Sequence, residues 1–227
     1  MSFTLGFDIY GTLIDPHGVV EELSRHLGDR ANDFSQVWRQ KQLEYTFRRG
    51  LMQRYENFVV CTRNALDYTD LLLQTRLDET TKQSLMQAYR VLPAYEDVKQ
   101  SLQLLGDKGF RLFALSNGTA DAVQGLLEHA EIDHYFEGVV SVDSLQTYKP
   151  NPDVYHHFVE TTHSELEQCW LVSSNAFDVI GAVSIGMKAA WLERFEGMVF
   201  DPCEFEPSIT INSLAELVTK IYIPGNL

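Results

Sequence analysis

Five short, nearly continuous apolar runs punctuate the chain, at Phe3–Tyr10, Arg111–Leu115, Val139–Val142, Cys169–Val172 and Ala189–Leu192. A strand covered by helices on both faces needs apolar side chains on both, so such runs read as strands of a parallel sheet. Helical stripes fall between them. Val98, Leu102 and Leu105 form one that stops near Gly106, and Val123, Leu126, Leu127 and Ala130 form another that opens with Thr119 and Asp121. Asn151-Pro152 offers an N-cap followed by proline at the first helical position, with Tyr155, Phe158 and Val159 behind it. Alternation of this kind predicts an α/β fold with a doubly wound, mostly parallel sheet.

One stretch breaks the alternation. From about Pro16 to Pro93 there is helix after helix and no strand pattern. Val19, Val20, Leu23 and Leu27 make a stripe ending at Gly28. Asp33 with Gln36 reads as the cap of a helix carrying Phe34, Val37, Trp38 and Tyr45, and Leu85, Tyr89 and Leu92 close the series. The expected organisation is an α/β core domain from residues 1–15 and 94–227, with residues 16–93 as an all-helical cap subdomain over the sheet's C-terminal edge. The tail beyond Pro224 is expected to be loose.

Composition narrows the class of partner. With 227 residues, 44% hydrophobic and 22% charged, the chain can bury a substantial core without disulfides or structural metals. Eighteen basic against 32 acidic side chains leave a net charge of −14. That charge repels nucleic acid and anionic membranes, so neither is expected as a partner. Cys61, Cys169 and Cys203 form no CxxC pair, which suits a reducing compartment. The first residues show no basic, signal-like pattern, and a cytoplasmic location is expected. The seven histidines show no HExxH spacing, so no zinc site is expected.

Polar residues gather where successive strands end, which is where open α/β sheets place their sites. Asp8 ends the first run, Ser116-Asn117-Gly118 the second, Lys149-Pro150 follows the third, and Ser173–Asp178 follows the fourth. Each taken singly has an ordinary explanation as a turn or a helix cap. Their recurrence at four strand ends points to a catalytic site.

These motifs resemble those of the haloacid dehalogenase superfamily, with Asp8…Thr12, Ser116, Lys149 and Asp178 in its order and approximate spacing. Within it, the chain is similar to the L-2-haloacid dehalogenases that use an aspartate nucleophile. The segments Phe7–Leu13, Trp38–Tyr45, Leu51–Phe58, Ser141–Asp143 with Tyr148–Pro150, and Ser173–Asp178 carry the likeness, which covers nearly the whole chain. The Asp-to-Thr motif is weak by itself, whereas the segment around Arg39 is far more specific.

The resemblance implies a Rossmann-like core with a helical cap and a homodimer. It also implies hydrolysis of short L-2-haloalkanoic acids to D-2-hydroxy acids through an aspartyl ester, without metal or cofactor. Asp8 would be the nucleophile, oriented by Thr12. Lys149, supported by Tyr155, would neutralise Asp8 and the substrate carboxylate, and Asp178 would activate water positioned by Ser173 and Asn175. Ser116 and the backbone N–H groups of Ile9 and Tyr10 would bind the substrate carboxylate. Arg39 and Asn117 would receive the halide, with Gln40 on the same helical face. Tyr10, Leu43, Phe58 and Phe177 would wall the alkyl pocket, with phenylalanine standing at 177 where the family often has tryptophan.

Two departures separate the chain from the superfamily's phosphatases. Those enzymes carry a second Asp two residues after the nucleophile to protonate the leaving alcohol, and here that position is Tyr10, a phenol with an ordinary pKa of about 10. A halide leaves as a stable anion and needs no such acid. Phosphatases also hold Mg²⁺ on hard oxygen ligands, whereas the late segment offers Ser173, Ser174 and Asn175 with only Asp178 acidic. A superfamily phosphatase, or a hydrolase of another activated small carboxylate, stands as the alternative reading.

Overall fold

The computed structural model describes residues 2–221, so the expectation for the tail beyond Pro224 lies outside the described residues. Strand β1 (Thr4–Phe7) is followed by four helices, α1 (Val20–Leu27), α2 (Ala31–Leu51), α3 (Phe58–Leu73) and α4 (Glu79–Ala88). Then come α5 (Val98–Asp107), β2 (Arg111–Ser116), α6 (Ala120–His129), β3 (Gly138–Ser141), α7 (Pro152–Thr161), β4 (Cys169–Ser173), α8 (Ala176–Ser184), β5 (Lys188–Leu192), β6 (Ile209–Ile211) and α9 (Leu217–Lys220).

The six strands run parallel in the order β3-β2-β1-β4-β5-β6. Central β1 registers Thr4 against both Arg111 and Cys169 and is buried throughout. Chain order reverses on its two sides, so the crevice at its C-terminal end is the topological switch point. The alternating pattern thus produces the doubly wound α/β sheet expected, with two differences. The first run is strand only as far as Phe7, because the chain beyond Asp8 folds into a tight turn in which the Ile9 carbonyl accepts from Leu13 N at 2.9 Å and Ile14 N at 3.0 Å. The sixth strand, β6, is three residues long, too short to show a period.

Helix ends follow capping chemistry in most places. Thr119 accepts from Ala122 N, and Asn151 accepts from Asp153 N at 2.9 Å. Asn57 and Asp78 cap α3 and α4. The capping role expected of Asp33 is corrected. A 3₁₀ turn at Gly28–Arg30 runs straight into α2, and Asp33 sits in its first turn, where its charge suits the helix dipole without capping.

The two connections of the helical insert leave the sheet side by side. Asp15 N donates to Pro93 O at 2.9 Å and Tyr95 N to Leu13 O at 3.0 Å. Arg194 donates to the Thr12 carbonyl and, at 2.6 Å, to Asp97 Oδ1. Inside the insert, α2 packs on α3 around Phe34, Trp38, Ala65 and Leu66, and Trp38 Nε1 donates to Thr62 O at 2.9 Å. Among the described residues no helix is long and apolar enough to cross a membrane.

Candidate active site

Asp8 lies one residue beyond β1 and is 8% exposed. Its two carboxylate oxygens are used unequally. Oδ1 accepts from Lys149 Nζ at 2.9 Å. Oδ2 accepts from Asn175 Nδ2 at 2.7 Å, Thr12 Oγ1 at 2.8 Å and Ser173 Oγ at 3.3 Å. Thr12 and Ser173 are themselves fixed, since Ser174 N donates to Thr12 Oγ1 and Asn175 N to Ser173 Oγ. The carboxylate plane is therefore pinned by donors from three separate segments.

Lys149 is fully buried and also donates to Asp178 Oδ2 at 2.7 Å. Asp178, in the first turn of α8, takes the Tyr155 hydroxyl on Oδ1 at 2.8 Å. Two carboxylates thus share one ammonium, and one negative charge is left over. Burial and the Asp8 charge push Asp178 up to about 6, against the pull of Lys149 and Tyr155. Burial also disfavours ionised Asp8, but Lys149, Thr12 and Arg39 outweigh it and hold Asp8 below its ordinary value. Burial penalises the Lys149 ammonium as well, yet the two carboxylates more than offset this and raise its pKa. The triad is consequently charged at neutral pH. The Tyr10 phenol is raised by burial and the neighbouring Tyr89, and so stays neutral.

Arg39 reaches the site from α2. Its Nη2 donates to Tyr10 O at 3.0 Å, and that same carbonyl accepts from Asn175 Nδ2 at 3.0 Å. The Tyr10 ring lies 5.1 Å from Phe58 and stacks 5.9 Å from Tyr89. Phe177 is half-buried and meets Phe47 edge-on at 5.0 Å. Both line a largely apolar cavity of about 460 Å³ that reaches Tyr148, Lys149 and Pro150.

Ser116 and Asn117 are buried at the end of β2. Ser116 Oγ accepts from Gly118 N at 3.0 Å, while Asn117 Oδ1 accepts from Lys149 N at 3.0 Å. Since the amide oxygen is committed, Asn117 has its NH₂ group to offer an anion. Among the described residues no backbone carbonyl accepts from the N–H groups of Ile9 or Tyr10. Leu43 is half-buried one turn along α2 from Arg39.

The expectation that Gln40 shares the face of Arg39 is corrected. Successive helical residues are rotated by about 100°, and Gln40 stands exposed. Gln42, three positions on from Arg39, is the buried amide, and it accepts from Arg39 Nη1 at 2.7 Å. Gly181 was equally unanticipated. A Cβ there would come within 2.7 Å of both Pro150 Cβ and Tyr155 Cε2, so α8 approaches Tyr155 only because the position is glycine. A glycine inside the apolar stripe of α8 was the readable signal.

Among the described residues no group of three or more His, Cys, Asp or Glu side chains is arranged to hold a metal ion. Lys149 Nζ stands between the two carboxylates, where it supplies the compensating positive charge.

Comparison with known proteins places the chain in a family. Residues 4–186 match the model of the haloacid dehalogenase-like hydrolases. The chain is 37% identical over 214 residues to the (S)-2-haloacid dehalogenase of Pseudomonas sp. strain YL, covering 94% of this chain and 92% of that one. It is 35% identical over 219 residues to haloacetate dehalogenase H-2 of Moraxella sp. strain B, covering 96% and 97%. The structure of the Xanthobacter autotrophicus L-2-haloacid dehalogenase with chloropropionic acid covalently bound superimposes with a TM-score of 0.89 at 33% identity, covering 98% of this chain and all of that one. The family match spans most of the sequence and the relatives cover nearly all of it: this chain belongs to the haloacid dehalogenase-like hydrolases.

Proposed function

We propose that this protein hydrolyses short L-2-haloalkanoic acids to D-2-hydroxy acids. The observation that carries the proposal is the unequal use of the Asp8 oxygens. Oδ1, which among the described residues accepts only from Lys149, is the attacking atom, and it displaces halide from C2 with inversion to form an ester. Oδ2 then becomes the ester carbonyl oxygen, already surrounded by Thr12, Ser173 and Asn175. Those three donors stabilise the oxyanion that forms when water attacks Cγ. Asp178 takes a proton from that water, a task suited to a base with a pKa of about 6. The Cγ–Oδ1 bond breaks, the alkoxide takes the proton held by Asp178, and the second water proton is released as Asp8 regains a carboxylate carrying one oxygen from water.

Substrate positioning follows from charge. Lys149, Ser116 and the N–H groups of Ile9 and Tyr10 receive the substrate carboxylate. Arg39 and Asn117 receive the halide. Tyr10, Leu43, Phe58 and Phe177 border the alkyl group, and residues 16–93 cap the site. Two relatives of known name support the substrate class, the (S)-2-haloacid and haloacetate dehalogenases. We further infer a cytoplasmic homodimer. Three unpaired thiols suit a reducing compartment, and Leu51, Leu71 and Leu72 expose apolar surface on α2 and α3. Sedimentation analysis tests the dimer.

The deciding experiment supplies both enantiomers of 2-chloropropionate in EDTA and measures chloride. The L form is consumed, and Asp8→Asn abolishes release. In a single turnover in H₂¹⁸O the label appears in Asp8 before product, and label found first in the product excludes the ester. Robust Mg²⁺-dependent cleavage of p-nitrophenyl phosphate would favour the phosphatase reading.

A further inference from the structure

Resting on the dehalogenase reading, we infer that Gln42 is a positioning residue that holds Arg39 without an ion pair, aimed at the departing halide. Five other arginines, Arg25, Arg48, Arg63, Arg111 and Arg194, pair with carboxylates. In a chain with a net charge of −14, carboxylate partners are plentiful. Arg39 differs. Among the described residues its guanidinium bonds only neutral acceptors, the Gln42 side-chain carbonyl at 2.7 Å and the Tyr10 backbone carbonyl at 3.0 Å.

The orientation of the Gln42 amide is dictated by its partners. Arginine can only donate, so the amide oxygen must face Arg39. That oxygen also accepts from Tyr89 OH at 3.0 Å, while Nε2 donates to Thr62 Oγ1 at 2.6 Å and Thr62 passes its own proton to Phe58 O at 2.8 Å. Every member of this network is buried apart from Arg39 itself. The network therefore fixes two donors of a half-buried guanidinium without spending its charge. A carboxylate of the same shape at this position would satisfy the same geometry but form an ion pair, withdrawing the positive charge that an emerging halide needs. Tyr89 links the network to the pocket, since its ring stacks on Tyr10.

The test compares wild type with Gln42→Glu, Gln42→Met and Tyr89→Phe. Chloride binding to the resting protein is read by ³⁵Cl line broadening. Turnover of L-2-chloropropionate and L-2-bromopropionate, and thermal unfolding, are measured alongside. Gln42→Glu retains an acceptor for Arg39 and Tyr89, and the Thr62 hydroxyl can rotate to donate to the new carboxylate, so folding is retained. Chloride binding should weaken about tenfold or more, the scale of a lost charge-assisted contact. Turnover of the chloro substrate should fall more than that of the bromo substrate, because the poorer leaving group depends more on Arg39. Tyr89→Phe should shift both readouts in the same direction by a smaller factor.

Unchanged chloride binding and an unchanged chloro-to-bromo ratio in Gln42→Glu would overturn the inference. So would equal losses on both substrates in Gln42→Glu and Gln42→Met accompanied by a matching fall in melting temperature, which marks a purely structural role. If Gln42→Glu does not fold, Tyr89→Phe decides by the same two readouts. A wild type that binds chloride yet releases none from either enantiomer would instead overturn the dehalogenase reading.

Discussion

Two cations face Asp8, one from the connection after β3 and one from the helical insert, and they are built in opposite ways. Lys149 is sealed from solvent and held by two carboxylates. Arg39 is half-buried and held by two neutral carbonyls. The charge of Lys149 is consumed in keeping two buried acids ionised next to each other. Arg39 acts on Asp8 only through space, and in the proposed mechanism its open guanidinium receives the halide. A cation that compensates buried charge is inseparable from the fold, whereas one held by neutral acceptors serves chemistry at little cost to stability.

The largest effect expected from breaking this contrast is at Lys149. Lys149→Met leaves Asp8 and Asp178 buried without a counter-charge, and removing one partner of a buried pair costs about 3–5 kcal/mol. Urea unfolding should show that loss, and chloride release should disappear. The pH dependence supplies a sign. Without the ammonium, both acids titrate above their unfolded values, so the folded variant takes up protons that the unfolded chain does not, and its stability deficit shrinks as pH falls from 8 to 5. Next in size is Arg39→Gln. It should lower kcat/KM by about 10²–10³, the range for a lost electrostatic stabiliser, yet move unfolding by less than about 1 kcal/mol. A stability loss equal to that of Lys149→Met would end the contrast.

A smaller effect is expected from Gly181→Ala, which perturbs the Lys149 side of the site indirectly. The added methyl meets Pro150 and Tyr155. Overpacking of this kind costs about 1–3 kcal/mol, and displacement of the Tyr155 hydroxyl from Asp178 should lower kcat with little change in KM. A fall in stability without any change in kcat would show that Tyr155 keeps its place.

Most of the sheet was legible in the sequence because a strand between two helical layers must be apolar on both faces. Strands β1–β5 therefore stand at continuous runs, and Thr119 and Asn151 cap the helices they open. Asp8, Ser173, Asn175 and Asp178 could be singled out at strand ends and Lys149 in the connection after the third strand, whereas Thr12 and Tyr155 were found through the family resemblance. Their pairing could not be read in the same way, since 141 residues separate Lys149 from Asp8 and only the sheet order brings them together. The inner face of α2 was harder still. It buries polar Ser35, Gln42 and Thr46 beside Phe34 and Trp38, so hydrophobicity does not mark which side turns inward. Gln40 and Gln42 are consequently indistinguishable by composition, and only the phase of the helix separates them. The three-residue β6 gave periodicity nothing to act on.

The smallest change sharpens the acid–base half of the comparison. Asp178 lies at about 6 because burial and Asp8 raise it while Lys149 and Tyr155 restrain it. A base must be unprotonated to act, so kcat should fall as pH drops through about 6. Tyr155→Phe removes one restraining hydrogen bond and leaves Lys149 in place. The acid limb should therefore move to higher pH, and activity at pH 6 should suffer more than activity at pH 9. The loss of one buried hydrogen bond costs about 1–3 kcal/mol, less than the removal of the ammonium. A limb that stays put while kcat falls uniformly would assign the titration to a group other than Asp178. A limb that moves downward would mean that Tyr155 stabilises the protonated acid, reversing the direction in which the phenol acts on the base.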